Sequence, residues 1–197
     1  MEINNSNVAL LVIDMQNDFI TGSLAVAGSE GLIEKINKIL DKFPLIVYSQ
    51  DSHPEDHISF KGSISSITGI AHDEISEKTR GIFPVHCVKG THGWELHKNL
   101  IIQNSDHIFL KGESSLKEEF SVFENPKLHE FLQSKGILKV YICGLAYDYC
   151  VGSAALDARK LGYETYVIRD LTKSIDDIGA EEMSAKLRNS NCGQVSY

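Results

Sequence analysis

Basic residues are scarce in this 197-residue sequence: Lys and Arg total 19 against 27 Asp and Glu, a formal charge of −8. Phosphate contacts need clustered Lys and Arg, and no such cluster occurs, so nucleic acid is excluded as a general partner. Long apolar runs are missing too. The longest, Val8 to Ile13, falls far short of a membrane span, and Met1-Glu-Ile-Asn-Asn-Ser lacks the basic and apolar regions of a signal peptide. The expectation is a cytoplasmic chain with no membrane partner. Cys87, Cys143, Cys150 and Cys192 show no Cys-x-x-Cys spacing, so they read as reduced thiols rather than a disulfide framework. There is no internal repeat, linker or low-complexity segment, and residues 1–197 are expected to form one domain. Nor does a glycine-rich phosphate loop follow the first apolar run; Asp14-Met-Gln-Asn-Asp is acidic and would repel phosphate.

What is present alternates between short apolar runs and helical patterns. Val8–Ile13, Leu45–Ser49, Ile108–Leu110, Val140–Cys143 and Thr165–Ile168 read as buried strands, with Gln194–Val195 as a sixth. Met15–Gly28 reads as loop. Between the strands, Ser29 is placed to cap a helix with the stripe Leu32, Ile33, Ile36, Ile39 and Leu40. Asn125-Pro126 opens a helix through Leu128, Phe131 and Leu132. Ala154, Ala155, Ala158 and Leu161 mark a helix beginning near Cys150, and Asp176 or Asp177 begins a last helix with Met183 and Leu187 inward. Apolar strands alternating with helices specify an α/β fold with parallel crossovers.

Asp14, Asp51, Lys111 and Cys150 each fall at or just past the carboxyl end of an expected strand, the edge at which open α/β sheets bind ligands. Cys150 sits where a strand runs into a helix. Unpaired amides at a helix start favour a thiolate, which makes Cys150 a candidate nucleophile. Asp14 is placed to take its proton and Lys111 to stabilise both charges. A Cys–Asp–Lys set suits attack on an acyl carbon, with a thioester to follow and helix-start amides to hold the oxyanion.

A second constellation lies in the long stretch from Ser52 to Gly93, too long for a plain connection. Asp51-Ser-His53 puts two ligand side chains on one side of an extended segment, and His57 or His86 can close a metal site. Carboxylate and imidazole donors suit Zn²⁺, Fe²⁺ or Mn²⁺. His72, His92, His97, His107 and His129 read as ordinary surface or packing histidines.

Five segments together carry a resemblance: Val12-Ile-Asp14-Met-Gln16-Asn-Asp18-Phe19, Asp51-Ser-His53-Pro-Glu-Asp-His57-Ile-Ser-Phe60, Phe83-Pro-Val-His86-Cys-Val-Lys-Gly-Thr91, Lys111-Gly112, and Gly144-Leu-Ala146-Tyr-Asp-Tyr-Cys150-Val. In this order they resemble the nicotinamidase branch of the isochorismatase-like cysteine hydrolases. The resemblance implies a three-layer sandwich, a mostly parallel six-stranded sheet with helices on both faces. It implies hydrolysis of nicotinamide to nicotinate and ammonia in NAD salvage, with pyrazinamide as a side substrate. Cys150 would be the nucleophile, Asp14 the proton acceptor and later donor, and Lys111 their electrostatic partner. Asp51, His53 and His86, with His57 as a further candidate, would hold one divalent ion, Zn²⁺ foremost and Fe²⁺ or Mn²⁺ also suited. The backbone amides of Ala146 and Cys150 would form the oxyanion hole, beside a cis bond between Leu145 and Ala146. Phe19, Phe83 and Gln16 would line the substrate pocket. Ser52, Phe83 and Leu145 depart from the residues more usual in the family, which bears on fine specificity and not on a reacting group. A carbamoyl or ureido amidase of the same superfamily, or a silent metal- or ligand-binding module, fits the residues as an alternative. Assembly as a homo-oligomer stays open.

Overall fold

The computed structural model describes residues 6–60 and 82–197; His72 lies outside them. Six strands form one sheet: β1 (Val8–Ile13), β2 (Leu45–Asp51), β3 (Ile108–Lys111), β4 (Lys139–Leu145), β5 (Glu164–Lys173) and β6 (Gly193–Val195). Their order across the sheet is β3-β2-β1-β4-β5-β6, and every neighbouring pair is parallel. The chain therefore winds one way from β1 to β3 and then returns to β4 on the other side of β1. The reversal opens a crevice at the carboxyl ends of β1 and β4.

Because side chains alternate along a strand, β1 feeds two cores. Val8, Leu10 and Val12 pack on one face with Phe19 and Ile20 of α1 (Asn17–Ile20) and Leu32, Ile33 and Ile36 of α2 (Glu30–Asn37). Ala9, Leu11 and Ile13 pack on the other with α3 (Pro126–Ser134), α4 (Gly152–Lys160) and α5 (Asp177–Asn189), through Leu128, Leu132, Ala154, Ala155, Ala158, Met183 and Leu187. The result is a three-layer α/β sandwich, the architecture that the resemblance implies.

Helix starts follow local chemistry. Asn125 accepts from the Lys127 amide and Pro126 takes the first helical position; Asp176 accepts from the Gly179 amide at 2.7 Å. Ser29 is different. Its backbone is already helical and its side chain caps nothing, because its hydroxyl turns to the Ile20 carbonyl at 3.3 Å and ties α2 to α1. The expected loop after Asp14 contains α1, too short for its periodicity to register. The fifth strand extends to Lys173, well past Ile168, and its pairing with β4 slips between Ile142 and Gly144. No helix among the described residues is long and apolar enough to cross a membrane.

Candidate active site

Three strands end in the reactive residues. Asp14 follows β1 with a left-handed backbone, φ +46°, a conformation open to Asp because its short polar side chain bonds locally. Its amide donates to the Ser49 hydroxyl at 3.2 Å, and that hydroxyl donates back to Asp14 Oδ1 at 2.6 Å. Asp51 and Lys111 are the last residues of β2 and β3 and face each other in register. Lys111 Nζ lies 3.0 Å from Asp14 Oδ2, 3.0 Å from Asp51 Oδ1 and 3.4 Å from Cys150 Sγ. Its side chain is fully enclosed, so one ammonium ties two buried carboxylates and a thiol together.

Cys150 enters from β4. Gly144 there has φ +108°, and a Cβ on it would stand 2.1 Å from the Ile13 carbonyl oxygen, so only glycine lets β4 approach β1 this closely. The Leu145–Ala146 peptide is cis. The Ala146 carbonyl then accepts from Tyr149 and, five residues on, from Val151, so Cys150 sits in a π-turn (Tyr147–Val151) ahead of α4 rather than in an α-helical first turn. Asp148, fully buried in that turn, accepts from the Ile175 amide at 3.0 Å and fixes the loop that brings Ile175 to the site.

Charge follows from this enclosure. Burial raises the thiol of Cys150 well above its ordinary value; Lys111 opposes the rise, and Asp14 and Asp51 add to it. The resting group is therefore a thiol, not the thiolate that a helix start alone would favour. Burial also raises the Asp14 carboxyl, against the pull of Lys111, which makes it the more basic carboxylate of the pair. For Asp51, burial is outweighed by Lys111 and His53, which hold its carboxyl far below the usual range. Burial would deprotonate Lys111, but Asp14 and Asp51 hold its charge.

A set of ion donors adjoins this group. His53 Nδ1 meets the Gly112 carbonyl at 3.0 Å and His86 Nδ1 meets the Pro84 carbonyl at 2.8 Å. Carbonyls only accept, so each Nδ1 carries the ring proton and each neutral ring presents a bare Nε2. Those nitrogens face Asp51 Oδ2 at 3.1 Å for His53 and 4.0 Å for His86, and His53 Nε2 has no hydrogen-bond partner. In the neutral rings these lone pairs converge with the carboxylate on one point, an arrangement that suits a cation there. Burial lowers His86 to about 4, so that ring is neutral, while Asp51 outweighs burial and raises His53. Donors about 2.0–2.2 Å from a tetrahedral or octahedral ion lie roughly 3–3.5 Å apart. The Asp51–His53 distance of 3.1 Å falls in that range and the Asp51–His86 distance of 4.0 Å lies outside it; donor atoms of all three residues fall within 4.8 Å of one another, a set that could hold one ion. Gly112, with φ +70°, leaves the room: a Cβ on it would meet His53 Cε1 at 2.6 Å and Asp51 Oδ1 at 2.8 Å.

The remaining expected residues divide. Phe19 and Phe83 line a narrow cavity, joined by Phe120, Tyr149, Leu24 and Ile175, with Cys150, Ala146, Asp51 and His86 also on its wall. Gln16 does not line it. That side chain is buried beneath Asp51 and bonds the Asp51 backbone. His57 stacks behind His53 with centroids 3.9 Å apart, its Nδ1 on the Ser59 hydroxyl and its Nε2 on the Lys117 carbonyl, so both nitrogens are engaged away from Asp51. Glu118 and Phe120 went unread in the sequence. Glu118 borders the cavity with its carboxylate within 4.8 Å of donor atoms of His53 and His57, and burial raises its pKa. Both belong to the irregular connection after Gly112, where no spacing pattern marks a residue as inward.

An isochorismatase domain model matches residues 8–196. The chain belongs to the isochorismatase-domain family. It is 37% identical over 182 residues to a nicotinamidase of Acinetobacter baylyi, covering 89% of this chain and 85% of that protein. Among solved structures it resembles a Leishmania infantum protein, PnC1, in complex with nicotinate (TM-score 0.84, 33% identity, 98% of this chain and 94% of that one). A pyrazinamidase of Pyrococcus horikoshii in complex with zinc is similar too (TM-score 0.77, 35% identity, 97% and 99%).

Proposed function

We propose that the protein is a metal-dependent amidase that hydrolyses nicotinamide to nicotinate and ammonia through a thioester on Cys150, serving NAD salvage in the cytoplasm, with pyrazinamide as a side substrate. The observation that carries this reading is one enclosed ammonium, Lys111, joining a thiol and its neighbouring carboxylate to an ion-donor set across an aromatic slot. An apolar cavity walled by aromatic rings, with a thiol on its wall, suits an aryl amide.

The resting thiol gives its proton to Asp14 as sulfur attacks the amide carbon, and the backbone amides of Ala146 and Cys150 take the oxyanion. Asp14 then returns the proton to the leaving nitrogen, the C–N bond breaks, and ammonia departs from an acyl-thioester. Water attacks that ester while Asp14 accepts its proton. The C–S bond breaks and the proton passes to sulfur, which restores the thiol and leaves the carboxylic acid; that acid loses its remaining proton to water to give nicotinate. In the resting site Lys111 keeps the two carboxylates ionised beside each other. Asp51, His53 and His86 would hold a divalent ion, Zn²⁺ foremost with Fe²⁺ and Mn²⁺ compatible, and such an ion supplies a Lewis-acidic seat for the ring nitrogen.

Ammonia release from nicotinamide, measured before and after chelation with metal content on the same sample, tests the proposal. Activity that falls on chelation and returns with added ion supports it; bound metal without ammonia release would discard the substrate. A His53→Ala variant is expected to lose most of its bound metal and to raise the KM for nicotinamide. Unchanged metal content in that variant would remove the donor set.

A further inference from the structure

Beyond residue 48 the β2 strand has no strand neighbour on its β1 side, because the β1–β2 pairing ends at Val12 opposite Tyr48. On the other side β3 pairs Asp51 with Lys111. The open side of Asp51 is filled by a side chain. Gln16 Oε1 accepts from the Asp51 amide at 2.8 Å, and its Nε2 donates to the Asp51 carbonyl at 2.8 Å. These two bonds reproduce what an adjacent strand would provide. The same Nε2 donates to the Trp94 carbonyl at 2.8 Å, and the Gln16 amide donates to the Asp14 carbonyl at 2.8 Å. Gln16 is fully buried.

We infer that Gln16 is the positioning residue that fixes Asp51 for ion binding; the inference rests on the donor set proposed above. With its backbone held on both edges, Asp51 can direct Oδ1 to Lys111 and Oδ2 to His53 and His86 at once. Among the amino acids, glutamine alone offers a donor and an acceptor at this reach. Asparagine is one methylene short, and glutamate cannot donate. Gln50 gives an internal comparison, since its Nε2 donates to the same Trp94 carbonyl at 2.7 Å without reaching around Asp51.

The experiment titrates metal-free wild type, Gln16→Asn, Gln16→Met and Gln50→Met with Zn²⁺ against a chromophoric chelator, and records the Co²⁺ absorption of each. The Gln16 variants are expected to bind zinc about 10–100-fold more weakly, the usual cost of losing a group that orients a ligand, with shifted Co²⁺ bands. Gln50→Met is expected to stay within about twofold of wild type, since the groups that orient the ligand remain. If Gln16→Met fails to fold, Gln16→Asn, which keeps the amide, carries the comparison. Zinc affinity and Co²⁺ bands unchanged in the Gln16 variants overturn the inference, as does an equal loss in Gln50→Met, which would assign the effect to docking of the Trp94 loop. A wild type that takes up no zinc overturns the donor set itself, and the same titration shows it.

Discussion

A Cys150→Ala variant is expected to lose nicotinamide turnover by at least about 10⁴-fold while folding as the wild type does, because Cys150 is the one thiol among the described residues on the cavity wall. The deleted atom borders an existing cavity, so the change leaves little new void, and Lys111, which loses its 3.4 Å contact with Sγ, keeps Asp14 and Asp51. Circular dichroism and thermal unfolding are expected to overlay those of the wild type, and single-turnover experiments should trap no acyl-protein. Substantial residual turnover would take Cys150 out of the mechanism and leave the cavity as a binding site only.

Lys111→Met is expected to act on both stability and activity. It leaves Asp14 and Asp51 buried without their common cation. Breaking a buried ion pair by removing one partner costs about 3–5 kcal/mol. For a chain of this size that corresponds to roughly 6–20 °C in Tm. The pH dependence has a definite sign. In the wild type the depressed Asp51 carboxyl contributes stability above its unfolded pKa, and that contribution is lost as pH falls. In the variant the folded carboxylates titrate above their unfolded values, so the penalty is full at neutral pH and relieved on acidification. The Tm gap measured on metal-free protein should therefore narrow between pH 7 and pH 4. A constant gap would mean that Lys111 contributes through packing of its stem rather than through charge.

Much of the fold was legible because parallel strands are buried on both faces and read as unbroken apolar runs. Val8–Ile13 stands in the structure with the bounds the sequence assigns it. Strand tips are marked where an apolar run gives way to polar residues, directly at Asp14 and Lys111 and two residues past Ser49 at Asp51, which the strand in fact reaches. What stayed hidden depends on tertiary packing. Cys150 was expected to favour a thiolate from its place at a helix start, but enclosure dominates and raises the thiol. Gln16 lies among residues that suggest a pocket, and whether its side chain turns toward the cavity or under Asp51 depends on where β1 stops pairing with β2. The second nitrogens of His53 and His86 are oriented by carbonyls of Gly112 and Pro84, contacts that leave no trace in residue type. Glu118 reaches the cavity from an irregular connection, for which sequence periodicity offers no reading.

The winding of the sheet, out from β1 to β3 and back to β4, bears on how this molecule is made. The ammonium and thiol of Lys111 and Cys150 lie 39 residues apart in the chain, and Asp14 is tied to the neighbouring strand through Ser49, 35 residues on. No hairpin or single helix can bring Asp14, Lys111 and Cys150 together, and closing such long loops must precede the contacts that reward it. Catalytic competence is thus a late event in folding. Recovery of ammonia release after dilution from denaturant should trail the recovery of helical signal, and the nascent chain cannot act on substrate until β4 has emerged and docked beside β1.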